Sequence, residues 1–566
     1  MNNAINTLKT FSLLATTIFL LLFCFIVRAS AQEKLASEIT ESMVTAASAI
    51  TALEIEEIVT ELASDAYEGR GPGTKGDLKT QNYLIEKLKS FGYVGGGVKE
   101  SWKQPFDLIG LNTNQPKTWS FKTEQGTTTF EQHSDFILAS GEQASRAKLE
   151  NAELVFVGYG IQAPEYDWDD YKGQDMKGKI LVMMNNDPDW DPSLFEGETR
   201  LFYGRWVYKY EIAARLGAAG AIIIHTHYSA GYPWQVVQTS WTGTQFELPN
   251  EGEPTIAIKA WMTEDATRKL MQKSGQNLDE LRKTAKQKDF KPVLLGTTTS
   301  VQVEVDKTSQ STANVLALLP GSEKPNEVVI YTAHHDHLGM DMNSDEKDRI
   351  YNGAKDNAAG VASVLAIAKA FKMASSPPKR SILFAFVGAE EQGLLGSAYF
   401  ARYPTFEPGK IAANVNIDSP QVYGKTSDIS FIGYGRSSVD EIAETVADFQ
   451  SRSITGDQNP SAGYFYRSDH FSLAKIGVPS LNYKGGSQFT GRQFSSIDVL
   501  QARYVAELYH QPSDEIESNW VYEGLVEDAQ FGFYSGWLLA NKRQLPAWRP
   551  GDEFEAPRKK ALTKAN

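Results

Sequence analysis

Ser381-Ile382-Leu383-Phe384-Ala385-Phe386-Val387-Gly388-Ala389-Glu390-Glu391 is the stretch that decides the fold. From 382 to 387 it carries no polar side chain, so it is not the alternating pattern of a strand with one wet face. Such a strand is covered on both sides, as in a parallel sheet sandwiched by helices. A similar strand runs from Val328 to Ala333 and ends at His334; another runs from Ala413 to Ile417 and ends at Asp418. Between the first two lies a helical pattern from Ala358 to Lys372, with Val361, Val364, Leu365, Ala368 and Phe371 on one side. Strand, loop and helix in repetition predict an α/β fold: a mixed, mostly parallel sheet with helices on both faces. Ligands in such sheets sit at the carboxyl ends of the strands.

Acids and imidazoles gather at those ends. His334-His335-Asp336-His337 follows the first strand, Asp356-Asn357 opens the helix, Glu390-Glu391 follows the second strand, and Asp418 follows Val415-Asn416-Ile417. Each has an ordinary reading: loop histidine, helix cap, solvated turn. Together at successive strand ends they predict a cation site, because neighbouring buried acids are costly without one. Asp336, two residues after His334, is suited to orient that imidazole.

The chain has 566 residues, enough for two domains or more. Its net charge of −14, with no basic block, argues against nucleic acid or an anionic membrane surface as partner. Lys9, an apolar run from Phe11 to Val27 and then Ala29-Ser30-Ala31 predict an export signal cleaved after Ala31, and hence a periplasmic or secreted protein. Left uncleaved, the same run would anchor the chain in a membrane. The only cysteine, Cys24, falls inside this segment, so the mature chain has no disulfide, no cysteine nucleophile and no thiolate ligand. Any metal is left to His, Asp and Glu.

Residues 50–105 and 310–545 read as one discontinuous domain, 106–309 as a β-rich insertion, and 546–566 as a polar tail. Helical patterns cover 51–65 and the region of Leu84, Ile85, Leu88 and Phe91, with the glycine-rich loop Glu68 to Gly73 between them as scaffold. Inside the insertion, Gly158-Tyr159-Gly160, Lys177-Gly-Lys-Ile-Leu-Val182 and Ala213-Ala-Arg-Leu-Gly-Ala-Ala-Gly-Ala-Ile222 resemble the protease-associated domain. The acidic run Asn185 to Asp191 has the oxygen content of a calcium loop, but Pro188 and Pro192 favour a solvated turn. The tract 341–345 fails as an EF-hand-like loop, with Glu346 where glycine is required and Asn352 where a closing glutamate belongs.

Ala333-His-His-Asp-His-Leu-Gly339, Gly353-Ala-Lys-Asp-Asn-Ala-Ala-Gly360, Glu390-Glu-Gln-Gly-Leu-Leu-Gly-Ser397 and Asn416-Ile417-Asp418 resemble the co-catalytic dizinc aminopeptidases. Glutamate carboxypeptidase and glutaminyl cyclase are relatives in that group. Tyr509-His510-Gln511-Pro512-Ser513-Asp514 supplies the further histidine that the resemblance calls for. The resemblance implies that Asp356 bridges two zinc ions, with His334 and Asp418 completing one shell and Glu391 and His510 the other. Cobalt or manganese would suit the same donors. It implies Glu390 as general base, deprotonating a water held by the two ions and returning the proton to the leaving amine, and Asp336 as the orienting group. His335 carries over no ligand role, and His337 is read as supporting structure.

Ser468-Asp469-His470 is not a triad, since three consecutive residues do not converge as a triad does. Asp469 and His470 are expected to contact substrate, or to cap a helix. The implied activity is an exported metallo-exopeptidase acting on the amino end of peptides. Rival readings are a carboxypeptidase or dipeptidase, with Arg436, Arg467 or Arg503 receiving a substrate carboxylate, a single-zinc cyclase, and a non-enzymatic binder.

Overall fold

The computed structural model describes residues 39–342, 345–491 and 497–565. The expected export signal and Cys24 lie outside the described residues. After a short helix (Glu41–Ala47) come α1 (Ala52–Leu62) and α2 (Lys75–Ser90), each capped by a threonine hydroxyl, Thr51 and Thr74, that accepts a first-turn amide. Ile55, Ile58, Val59 and Leu62 of α1 are fully buried, as their spacing predicts.

The insertion begins with β1 (Lys103–Asn114). Its centre is a small sheet of β2 (Arg146–Phe156), β3 (Ile180–Met184) and β4 (Gly220–His225), with helix α3 (Trp206–Arg215) leading into β4. The short strand β5 (Thr244–Glu247) pairs back onto β1, and β6 (Ile258–Thr263) runs parallel to β4. Strands β2, β3, β4 and β6 are mutually parallel and carry separate apolar clusters on their two faces, Ile222 and Ile224 on one, Ala221 and Ile223 on the other. Strand β7 (Val293–Leu319) then leaves the insertion: it pairs with β2 and then β1 up to Val315, and its last residues pair with the main sheet. One continuous backbone therefore joins the two bodies.

The main sheet follows as β8 (Lys324–His334), α4 (Ala359–Met373), β9 (Arg380–Val387), α5 (Leu395–Arg402), β10 (Ile411–Asn416), β11 (Asp428–Ile432), α6 (His470–Lys475), β12 (Ser480–Gly485) and α7 (Tyr522–Asn541). Its order is β7-β9-β8-β10-β12-β11; the four central strands are parallel, and β7 and β11 run antiparallel at the sides. Val329, Tyr331 and Ala333 of β8 pack with α1, α4 and α7, while Val328 and Ile330 pack on the other face with Phe400 of α5 and Leu473 of α6. Both faces are dry, which is why these strands are uniformly apolar.

The stretch expected as a polar tail is structured. Trp548, Phe554 and Arg558 are buried, and Arg558 donates to the carbonyls of Pro546, Ile411 and Pro408. Several of its charged residues read as a tail in sequence because partners such as Asp440 for Arg549 and Arg436 for Asp552 and Glu553 lie more than a hundred positions away.

Candidate active site

Strands β8, β9 and β10 end level with one another: His334 lies opposite Val387, and Thr332 opposite Asn416. The loops that leave them converge. His334 Nε2 lies 3.1 Å from Asp356 Oδ1 and 3.3 Å from Asp418 Oδ1. His510 Nε2 lies 3.5 Å from Asp356 Oδ2 and 2.9 Å from Glu391 Oε2. One carboxylate, Asp356, thus faces two imidazoles from opposite sides. Its helix-cap alternative is taken over by Asn357, whose Oδ1 accepts the Gly360 and Ser419 amides and whose Nδ2 donates to the Ile417 carbonyl. Asn357 thereby ties the Asp356 loop to the Asp418 loop and leaves the Asp356 carboxylate free to face the site.

Asp336 is fully buried, with its carboxylate 3.9 Å from His334 Nδ1; the closer partner of that nitrogen, at 3.2 Å, is the Asp336 carbonyl. The carboxylate instead accepts the Glu390 and Glu391 amides at 3.0 and 3.4 Å, so Asp336 holds the backbone of the glutamate pair. Ser468 donates to Asp418 Oδ2 at 2.6 Å. Ala389, Ser419 and His510 take positive φ of 57°, 43° and 58°. Each such turn costs about 1 kcal/mol or more outside glycine, and all three are at or beside residues of the cluster.

Asp469 and His470 are expected on the substrate path, but both are sealed in the interior, 1% and 0% exposed. Among the described residues neither carboxylate oxygen of Asp469 has a well-formed hydrogen bond; the nearby Ser397 hydroxyl donates to the Leu394 carbonyl. Burial pushes Asp469 up, and it pushes His470 down to about 3, so that imidazole is neutral beside Phe465. Neither is among the residues that line the cavity beside His510 and Glu391.

Several supporting residues carry no local signal. Arg70, in the loop read as scaffold, is 1% exposed and donates to the carbonyls of His335 at 3.1 Å, Leu62 at 2.7 Å, Asn352 at 2.6 Å and Gly353 at 2.9 Å. It clasps the His334 loop to the Asp356 loop. Asp514 accepts the Lys355 and Asp356 amides at 3.2 and 3.1 Å. His335 pairs with Asp77 of α2 at 3.1 Å, away from the cluster. His337 Nδ1 lies 2.6 Å from Glu391 Oε1, and its Nε2 has no hydrogen-bond partner among the described residues.

The electrostatics show what the cluster demands. Burial opposes charge on His334, yet Glu390, Asp356 and Asp418 hold it well above the usual imidazole range. His510 is pushed up to about 10 by Glu391 and Asp356 against the same burial. Burial, with Glu391 and Asp418 nearby, drives Glu390 well above the carboxylate range. The acids thus draw in positive charge, which divalent cations would also supply. His334, Asp356 and Asp418 form one group of donor atoms within 4.8 Å of one another, and His337, Asp356 and Glu391 form a second. Oxygen and imidazole donors at this density fit zinc or a similar ion.

A cavity of about 610 Å³ opens beside His510 and Glu391. Met340, Tyr351 and Gln392 line it from the main body, and Gln245 and Phe246 of β5 line it from the insertion. The arginines expected to receive a substrate carboxylate are engaged elsewhere: Arg436 with Asp552 and Glu553, Arg503 with Glu507 and Glu517, Arg467 with the Ala462 carbonyl.

The model of peptidase family M28 matches residues 314–529, the stretch that carries all five expected ligands. These residues belong to that family. The chain is 28% identical over 243 residues to a probable zinc metalloprotease of Pyrenophora teres f. teres (strain 0-1), covering 39% of this chain and 48% of that protein. It is 29% identical over 221 residues to aminopeptidase YwaD of Bacillus subtilis (strain 168), covering 37% and 41%. The chain thus spans about half the length, or less, of these curated relatives. Among solved structures, an aminopeptidase from Aneurinibacillus sp. strain AM-1 is similar over 88% of this chain and 96% of its own, at 19% identity and a TM-score of 0.49.

The insertion's acidic run differs from the expected solvated turn. Asp187 is 1% exposed and accepts the Leu201 amide at 2.8 Å. The buried Lys209 ammonium sits among these groups, donating to the carbonyls of Tyr159 and Asn186 at 2.6 and 2.8 Å. A lysine amine from α3 thus reaches into the loop that the calcium reading would have given to a cation, and burial pushes that amine down to about 7.

Proposed function

We propose that this protein is a metallo-aminopeptidase that removes residues from the amino end of peptides and works with two divalent ions, zinc in the first place. The observation that carries the reading is Asp356, whose two oxygens face the imidazoles of His334 and His510 separately, at 3.1 and 3.5 Å. His334, Asp356 and Asp418 would hold one ion; Asp356, Glu391 and His510 would hold the other. When bound, such ions polarise a scissile carbonyl and acidify water.

The chain's own groups do the rest. Glu390, whose buried carboxyl is already driven toward holding a proton, accepts one from the attacking water and delivers it to the leaving amine. Asp336 fixes the Glu390 backbone through its amide, so the acid-base group does not swing. Asn357 and Asp514 keep the Asp356 loop in place. The aminopeptidase reading of the end attacked is supported by the name of the Bacillus subtilis relative and by the engagement of the three arginines. We read the β-rich insertion as the expected protease-associated module, placed where β5 narrows the cleft, and we read the leader-like residues 9–31 as directing export.

The test combines metal analysis with hydrolysis of free and N-acetylated peptides. Two ions per chain and cleavage restricted to free amines are expected. A single tightly held ion without peptide hydrolysis would favour a cyclase, and equal cleavage of acetylated peptides would sink the aminopeptidase assignment.

A further inference from the structure

Strand β5 has one edge and both faces taken. The edge pairs antiparallel with β1, from Thr244 opposite Asn112 to Glu247 opposite Ile109. On one face Phe246 packs against the cluster of Phe106, Leu108 and Ala389, and Ala389 is the residue before Glu390. On the other face Glu247 meets Lys259 of β6 at 2.6 Å. Among the described residues β5 pairs with no strand but β1, so its second edge is open. An open edge presents N–H and C=O groups from every second residue, a template for another extended chain.

That edge borders the cleft. Thr244, Gln245 and Phe246 all line the cavity that also reaches Glu391 and His510. Side chains of successive strand residues point to opposite faces, so three residues in a row share one cavity along their edge and not through one face. Thr244 is exposed, and Gln245 and Phe246 are partly so.

We propose that β5 receives the main chain of the substrate: a peptide with its amino end at the acid and imidazole cluster runs extended past the bond to be cut and adds to β5 as a further strand. The inference deepens the peptidase reading and rests on it. The occupant is the substrate peptide because the open edge and the expected ligands Glu391 and His510 line one continuous cavity, and because strand pairing requires a chain of regularly spaced amides. Main-chain pairing reads few side chains, so the insertion would select for length and extended shape more than for sequence.

The experiment measures kcat/KM of the metal-loaded enzyme for Leu-Ala amide and for the same peptide lengthened stepwise to a hexapeptide amide with alanines. The hexapeptide is then tested with one N-methyl group placed in turn on each nitrogen beyond the second residue. A net hydrogen bond is worth about two- to tenfold. Lengthening should therefore raise kcat/KM by about tenfold or more, chiefly through KM. N-methylation should cost at every second nitrogen and be tolerated between. Calorimetric titration of these peptides into Glu390→Gln protein reads binding apart from turnover, and amide hydrogen exchange with the hexapeptide bound should slow over residues 244–247. Hydrolysis with no gain from length, or with losses that do not alternate, would overturn the strand addition and leave the peptidase reading standing. Alternation without protection at 244–247 would overturn the role of β5. Alternating losses in binding, with that protection but no wild-type hydrolysis of any peptide, would overturn the peptidase reading and keep the strand addition.

Discussion

His337 Nδ1 lies 2.6 Å from Oε1 of Glu391, while the other oxygen of that carboxylate faces His510 at 2.9 Å. Glu391 is thereby held between two imidazoles, and His337 falls within the second group of donor atoms. Replacing His337 with phenylalanine should lower zinc affinity at this position about 10–100-fold, read by competition with a chromophoric chelator. Unchanged affinity would show that His337 only packs.

Glu390→Gln keeps the shape and removes the proton acceptor. The variant should retain its metal content and lose about 10²–10⁴ in kcat. Loss of metal along with activity would mean that Glu390 is a ligand and not the base.

Arg70→Met leaves four carbonyls near the cluster without their donor. Each buried acceptor left unmet costs about 1–3 kcal/mol, in part regained by solvent. Urea unfolding should show a loss of roughly 3 kcal/mol or more. A loss below about 1 kcal/mol would deny the clasp.

Asp170 in the insertion has its pKa pushed up to about 7 by burial, against the hydrogen bonds it accepts from the Ile161 amide and the Trp168 indole. The folded chain therefore keeps a proton that the unfolded chain releases near pH 4, so stability from this group is full below about 4 and is lost as pH rises toward 7. Asp170→Asn should flatten that part of the Tm-against-pH curve. An unchanged slope between pH 5 and 7.5 would contradict the assignment.

Much of the site is visible along the chain because its pieces are local. Val328 to Ala333, Ser381 to Val387 and Ala413 to Ile417 each announce a strand, and candidate site residues follow within four positions of each end: His334, Glu390 with Glu391, and Asp418. His510 is different: nothing in its own surroundings marks it, and it comes only through resemblance. Arg70, Asp77 and Asp514 are silent for a physical reason. Their partners are mostly backbone amides and carbonyls or, for Asp77, side chains such as Thr312 and His335 more than two hundred positions away, and such contacts leave no periodicity or spacing to read.

What the sequence determined by itself is the α/β sheet and the placing of acids at its carboxyl edge, since uniform apolarity requires cover on both faces and strands end where polarity begins. What only the tertiary structure decided is which charges meet. Lys209 reaches the Asn186 carbonyl in the acidic run of the insertion, and Asn357 takes the cap and leaves Asp356 facing two imidazoles. Electrostatic energy depends on distance and burial in space, and the chain order specifies neither.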